Sequence, residues 1–170
     1  GNGNDTLQMD ITAQGSASNY AYGVVGSANL LAGVGDDSVR INTTSTTTAA
    51  GATATAESVT SAGVDMGTGN DTLEIGAKAT GDNAVARDIY ALYAQGSTVS
   101  GGSGDDKVTL SATATGITSA LSTGIGNATF DAGAGNDTLS ITASATGGNA
   151  TANALQQAKV LMGDGNDVVS

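Results

Sequence analysis

Gly133-Ala134-Gly135-Asn136-Asp137-Thr138-Leu139 decides the fold, because versions of this stretch return through the whole chain. Six copies begin at Gly1, Gly33, Gly67, Gly102, Gly133 and Gly163, and each keeps Gly, any residue, Gly, then Asn or Asp, then Asp. Successive starts lie 32, 34, 35, 31 and 30 residues apart. Self-similarity at such a period points to an array, solenoid or propeller before any other architecture. It divides one repetitive domain, 1–170, into coils 1–32, 33–66, 67–101, 102–132 and 133–162, with a sixth beginning at 163.

Outward from each copy, apolar residues occupy every second position, which is strand periodicity. Leu7, Met9, Ile11 and Ala13 follow the first copy, and Val39 and Ile41 the second. Leu73, Ile75, Ala77 and Ala79 follow the third, Val108, Leu110, Ala112 and Ala114 the fourth, and Leu139, Ile141, Ala143 and Ala145 the fifth. Leu30, Val64, Val99, Phe130 and Val160 stand three residues ahead of the next turn. Stacked in register, these positions are predicted to form the core columns, with Ala32, Met66, Ala132 and Met162 as the last inward positions before each turn. The fold class is therefore all-β: a parallel β-solenoid of about five coils. Coils about 4.8 Å apart satisfy one another's backbone, so five span roughly 24 Å.

Two stretches leave room for departures. In residues 149–162, Ala152, Leu155, Ala158 and Leu161 fall three apart, a helical spacing. The aligned part of coil two alternates Thr with Ala, and coil four carries Gly124 and Gly126, so at most a short helical turn is expected in one or two coils. The third coil is the longest, and its surplus is expected to bulge near residues 87–93, which mix a base, an acid and two tyrosines.

Composition narrows the chemistry. One Phe, four Tyr and no Trp leave Leu, Ile, Val and Ala to fill a thin interior, and with 26 Gly and no Pro the bends fall to Gly, Asn and Asp. The chain has neither Cys nor His. That excludes a disulfide framework and metal sites of sulfur and imidazole, while oxygen sites for hard cations stay open. A net charge of −11 with only five Lys plus Arg disfavours nucleic acid and anionic membrane as partners. No 18-residue apolar run is present to insert into a membrane. With no signal peptide in view, we read the chain as a window of a longer repetitive protein.

The repeated turn brings Asp5, Asp37, Asp71, Asp106, Asp137 and Asp167 to one corner of successive coils. Stacked at that spacing, ionised carboxylates repel by about 1 kcal/mol per neighbouring pair even when partly screened. A divalent cation between successive turns relieves this, taking a carboxylate from each turn and carbonyl oxygens exposed near Gly1, Gly3, Gly33, Gly35, Gly67, Gly69, Gly102, Gly104, Gly133, Gly135, Gly163 and Gly165. Calcium suits such a site because it accepts six to eight oxygens in flexible geometry. The six turns enclose five gaps, and five calcium ions in one row would bring the net charge from −11 to −1. Asp36 and Asp105 alternate with Asn4, Asn70, Asn136 and Asn166 at the preceding position and are read as capping residues rather than ligands.

At this point the chain resembles a known family. Gly101-Gly102-Ser103-Gly104-Asp105-Asp106-Lys107-Val108-Thr109 matches the calcium-binding nonapeptide of RTX (repeat-in-toxin) proteins throughout. The other complete copies replace its leading Gly by Ala32, Met66, Ala132 or Met162, and there is one turn per coil rather than two. The chain is thus similar to a long-coil variant with a single calcium row, a plan like that of calcium-dependent bacterial adhesin segments. The resemblance implies a right-handed solenoid, type I secretion and an extracellular, cell-surface location.

The remaining residues point to no catalysis. Asp10, Asp65, Asp82, Asp88, Asp131, Glu57 and Glu74 show no recurring paired spacing and are expected on the solvated surface. The expected function is a calcium-stabilised structural segment of a secreted bacterial surface protein: a filament, surface layer or adhesin stalk. Open strand edges at the ends of a solenoid offer a route to association with further copies, end to end or side by side. The alternatives are an ice- or carbohydrate-binding face, or the export and folding repeat domain of a secreted hydrolase or toxin. An ice-binding face would draw on the Thr run 43–48, but Ala112 and Ala143 stand where coil two has Thr43.

Overall fold

The computed structural model describes residues 1–91 and 96–170. The chain winds as a β-solenoid of about five coils, every strand pairing parallel with its equivalent one coil away. No helix occurs among the described residues. In order, the strands are β1 (Thr6–Gly15), β2 (Asn19–Val25), β3 (Asn29–Val34), β4 (Ser38–Thr47), β5 (Thr53–Thr60), β6 (Gly63–Thr68) and β7 (Thr72–Tyr90). They continue with β8 (Thr98–Ser103), β9 (Lys107–Gly126), β10 (Thr129–Ala134), β11 (Thr138–Thr146), β12 (Asn149–Gln156), β13 (Lys159–Leu161) and β14 (Val168–Val169).

Each coil has three walls. A short wall, β3, β6, β8, β10 and β13, leads into the Gly-x-Gly corner. A second, β1, β4, β7, β9, β11 and β14, leaves it, and a third, β2, β5 and β12 with the far halves of β7 and β9, returns. The predicted columns are present in register: Leu7, Val39, Leu73, Val108 and Leu139 in one, and Leu30, Val64, Val99, Phe130 and Val160 in the other. Ala32, Met66 and Ala132 are buried in the same core, with Met162 packed against it.

The interior has two compartments. Near the corner, large aliphatics and Phe130 fill a wide lobe. Farther out, the second and third walls close on Ala54, Ala56, Ala77, Ala79, Ala84, Ala86, Ala112, Ala114 and Ala120, a thin lobe that small side chains alone can fill. In coil two the β4 side of this lobe is polar, with Thr43, Ser45 and Thr47 buried, while its β5 side carries Ala54 and Ala56.

The limit placed on helix holds, and the expected bulge is corrected. Residues 149–162 contain β12 and β13 with no helical turn; parallel pairing of β12 with β9 overrides the helical spacing because the strand continues an existing ladder. The bulge predicted near residues 87–93 does not begin at Arg87: residues through Tyr90 continue β7, in register with β5 and β9. The surplus falls later, since eight positions separate Tyr90 from Thr98 where three separate the paired Gly126 from Thr129. Tyr93 lies outside the described residues.

Candidate metal centre

The corner begins with two glycine ranks. Gly102 has φ 110° and Gly104 φ 121°, in the left-handed region that L side chains rarely adopt. A Cβ built on Gly102 would stand 1.9 Å from the Gly67 carbonyl oxygen, and one on Gly104 2.0 Å from that of Gly69. Backbone therefore packs directly on backbone. The N–H of the second Gly donates to the next coil at 2.7–2.8 Å, as from Gly3 to Val34 and from Gly69 to Ser103.

After the glycines, two side-chain ladders run in opposite directions. The Asn or Asp rank reaches forward: Asn4 accepts the Asp36 N–H at 2.9 Å, Asp36 that of Asn70 at 2.8 Å and Asn70 that of Asp105 at 2.8 Å. Asp105 and Asn136 continue it to Asn136 and Asn166. These side chains thus bridge successive coils, where the sequence led us to expect each to cap its own turn.

The invariant Asp rank reaches back. Oδ1 of Asp37 accepts the Asp5 N–H at 2.8 Å, and the series continues through Asp71, Asp106, Asp137 and Asp167 at 2.7–2.9 Å. All six predicted carboxylates therefore stand in one rank, each Oδ1 after the first held by an amide. Asp5 is exposed, whereas Asp37, Asp71, Asp106 and Asp137 are buried. In these four the other oxygen, Oδ2, is buried with no hydrogen-bond partner among the described residues. Buried carboxylate oxygens in that state are unfavourable.

Burial pushes the carboxyls of Asp71 and Asp137 up, and that of Asp106 up to about 6 from the ordinary 3.8. The Asp71 amide pulls Asp106 back toward ionisation, while the charges of Asp71, Asp137 and Asp105 raise it further.

These residues fit a hard cation. Among the described residues no three His, Cys, Asp or Glu side chains cluster, so an ion at the corner would draw on few carboxylates and complete its shell with carbonyl oxygens. The first Gly carbonyls are engaged in the ladder, as Gly1 with the Val34 N–H at 2.9 Å and Gly133 with that of Asp164 at 3.0 Å, but a carbonyl oxygen keeps a second lone pair.

A pH dependence follows for the calcium-free chain. A carboxyl whose folded value is raised contributes stability that is complete below about pH 4 and lost as pH rises through its folded value. Far-UV circular dichroism of calcium-free protein is thus expected to show β structure gained as pH falls from about 6 to about 4. Order that instead increases with pH over this window would contradict the orphaned-oxygen geometry.

Sequence reasoning misplaced several other residues. Glu57 is buried, ion-paired with Arg87 and accepting from the Thr60 hydroxyl at 3.1 Å. Arg87 in turn lies 4.2 Å above the Tyr90 ring. Asp88 is completely buried in the interior. Thr43 faces inward, so the position compared above with Ala112 and Ala143 is an interior one. The outward ranks are Thr12, Thr44, Lys78, Thr113, Ser144 and Gln14, Thr46, Thr80, Thr115, Thr146. The first departs from Thr at Lys78 and Ser144 and the second at Gln14, and the Arg40–Glu74 ion pair lies close by.

No family model, curated protein sequence or solved structure matches the chain.

Proposed function

We propose that this chain is a calcium-stabilised structural segment of a secreted bacterial surface protein, a rod element in a filament, surface layer or adhesin stalk. The observation that carries this reading is the rank of four buried, partnerless Oδ2 atoms on Asp37, Asp71, Asp106 and Asp137. One such oxygen could belong to any buried acid; four in successive coils, in an oxygen-only setting without Cys or His, call for a row of hard cations. The corner amides fix the Oδ1 atoms, and the glycine ranks let successive turns approach closely enough for one ion to reach two coils. Calcium bound there would supply the positive charge that the buried rank lacks.

Two features support a structural role over a catalytic one. Each turn Asp after the first gives its Oδ1 to a backbone N–H, and the two core clusters are filled by aligned small and aliphatic side chains with Phe130. Calcium would then couple folding to export, with little ordered structure at cytosolic calcium and closed coils outside, at affinities of about 10⁻⁴ to 10⁻³ M.

A calcium titration followed by circular dichroism tests this. The β signal is expected to fall on exhaustive chelation at neutral pH and to return with calcium but not with an equal ionic strength of sodium. Asp106→Asn keeps the acceptor for the Asp71 N–H and removes the charge, so it is expected to weaken the calcium response while sparing the fold. A β signal indifferent to chelation, or an unchanged response in Asp106→Asn, sinks the reading.

A further inference from the structure

Asp88 is the one ionisable residue in a rank that otherwise carries Gly23, Ser58, Gly124 and Ala154, placed by the pairs on either side of each. The rank lies where the wide lobe meets the thin one. Its side chain is completely buried, and neither oxygen has a hydrogen-bond partner among the described residues. Burial pushes its carboxyl well above the ordinary range, and the Ala77 amide, beyond hydrogen-bond geometry, is the group that opposes this.

Its neighbours show how a polar group here is satisfied. Ser58, one coil earlier, donates across the lobe to the Gly76 carbonyl at 2.7 Å and meets the Thr43 hydroxyl at 3.0 Å. Ser122, in the next coil, donates to the Ala112 carbonyl at 3.2 Å. Both act as donors toward the opposite wall. An ionised carboxylate is acceptor-only and cannot do this; a neutral acid can. By register, the acceptor for Asp88 equivalent to Gly76 is the Ser111 carbonyl. Among the described residues no charged group faces it: Ser58 and Gly124 flank it, Ala77 and the backbone of Gly76 and Ala112 lie across, and Arg87 turns outward to Glu57.

We propose that Asp88 is a proton-operated latch of the third coil, closing the two walls as a neutral acid that donates across the lobe and releasing them when it ionises. The corner does not enter this device, since Asp88 stands in the rank of Ser58 and Gly124 and not in the aspartate rank. Folding of the coil takes up one proton, and the coil loosens as pH rises.

Hydrogen exchange, read by mass spectrometry on peptides covering residues 83–90 at constant millimolar calcium, tests the latch in wild type, Asp88→Ser and Asp88→Asn. In wild type the opening constant is expected to rise about tenfold per pH unit from pH 5 until the acid ionises within the fold, then level off. Both variants are expected to lack that slope, whatever slope the corner adds being common to all three. Equal slopes in wild type and variants would overturn the proposal, as would protection that grows with pH in wild type alone. Infrared spectroscopy of wild type gives a check that needs no variant: a protonated-carboxyl band is expected at neutral pH in the calcium-loaded protein, and its absence overturns the latch.

Discussion

Gly102→Ala is expected to be among the most damaging single-methyl additions in the chain, lowering stability by roughly 3–5 kcal/mol from backbone strain and overpacking together. The residue has φ 110°, and the new methyl would lie 1.9 Å from the Gly67 carbonyl oxygen. Neither wall can yield, because that carbonyl belongs to a turn held from both sides by the two ladders. Gly51→Ala provides the control: φ is positive there too, at 75°, yet no atom lies within 4 Å of the added carbon. Strain alone should cost about 1–2 kcal/mol at that site. Denaturant unfolding of both variants at saturating calcium measures the difference. Equal losses would mean that close approach of the coils does not govern the glycine ranks.

Phe130→Ala is the second large effect, expected at about 3–5 kcal/mol. Phe130 is buried, pairs in register with Val99 and Val160, and is the bulkiest fully buried side chain among the described residues. Flanking coils fix the walls on both sides, so the wide lobe cannot collapse into the space. Leu30→Ala removes a residue of the same column from a half-buried position in the first coil and should cost clearly less. Thermal melting of the two variants gives the comparison, and a smaller loss for Phe130→Ala would show that the column does not carry the core.

The corner and the columns were legible in the sequence because both repeat with the coil. Gly-x-Gly-Asn-Asp places the same backbone at the same corner six times, and alternation after each copy identifies the inward face. What escaped does not repeat. Seven consecutive residues of β5, Ala54 to Thr60, are buried, so alternation cannot sort inside from outside there. Glu57 is covered although it lies in the outward rank of Tyr22 and Arg87, and Asp88 points into a rank that is Ser or Gly in adjacent coils. Such placements depend on neighbours in other coils, which a single repeat does not encode. The Thr43 comparison failed for a related reason: both ranks of coil two are Thr-rich, and composition alone does not say which one faces out.

The opposed ladders at the corner have a mechanical meaning. Each junction between coils is fastened by one side chain reaching forward and another reaching back, so neither sliding direction is free of a bond under tension. A pull on the chain loads these fastenings one junction at a time, while junctions farther along remain at rest. The solenoid would therefore pay out in discrete steps, each freeing one coil of 30 to 35 residues, or roughly 100–125 Å of extended chain. A row of such fastenings is expected to yield length in increments under load, which would appear in single-molecule pulling as a sawtooth of steps of that size.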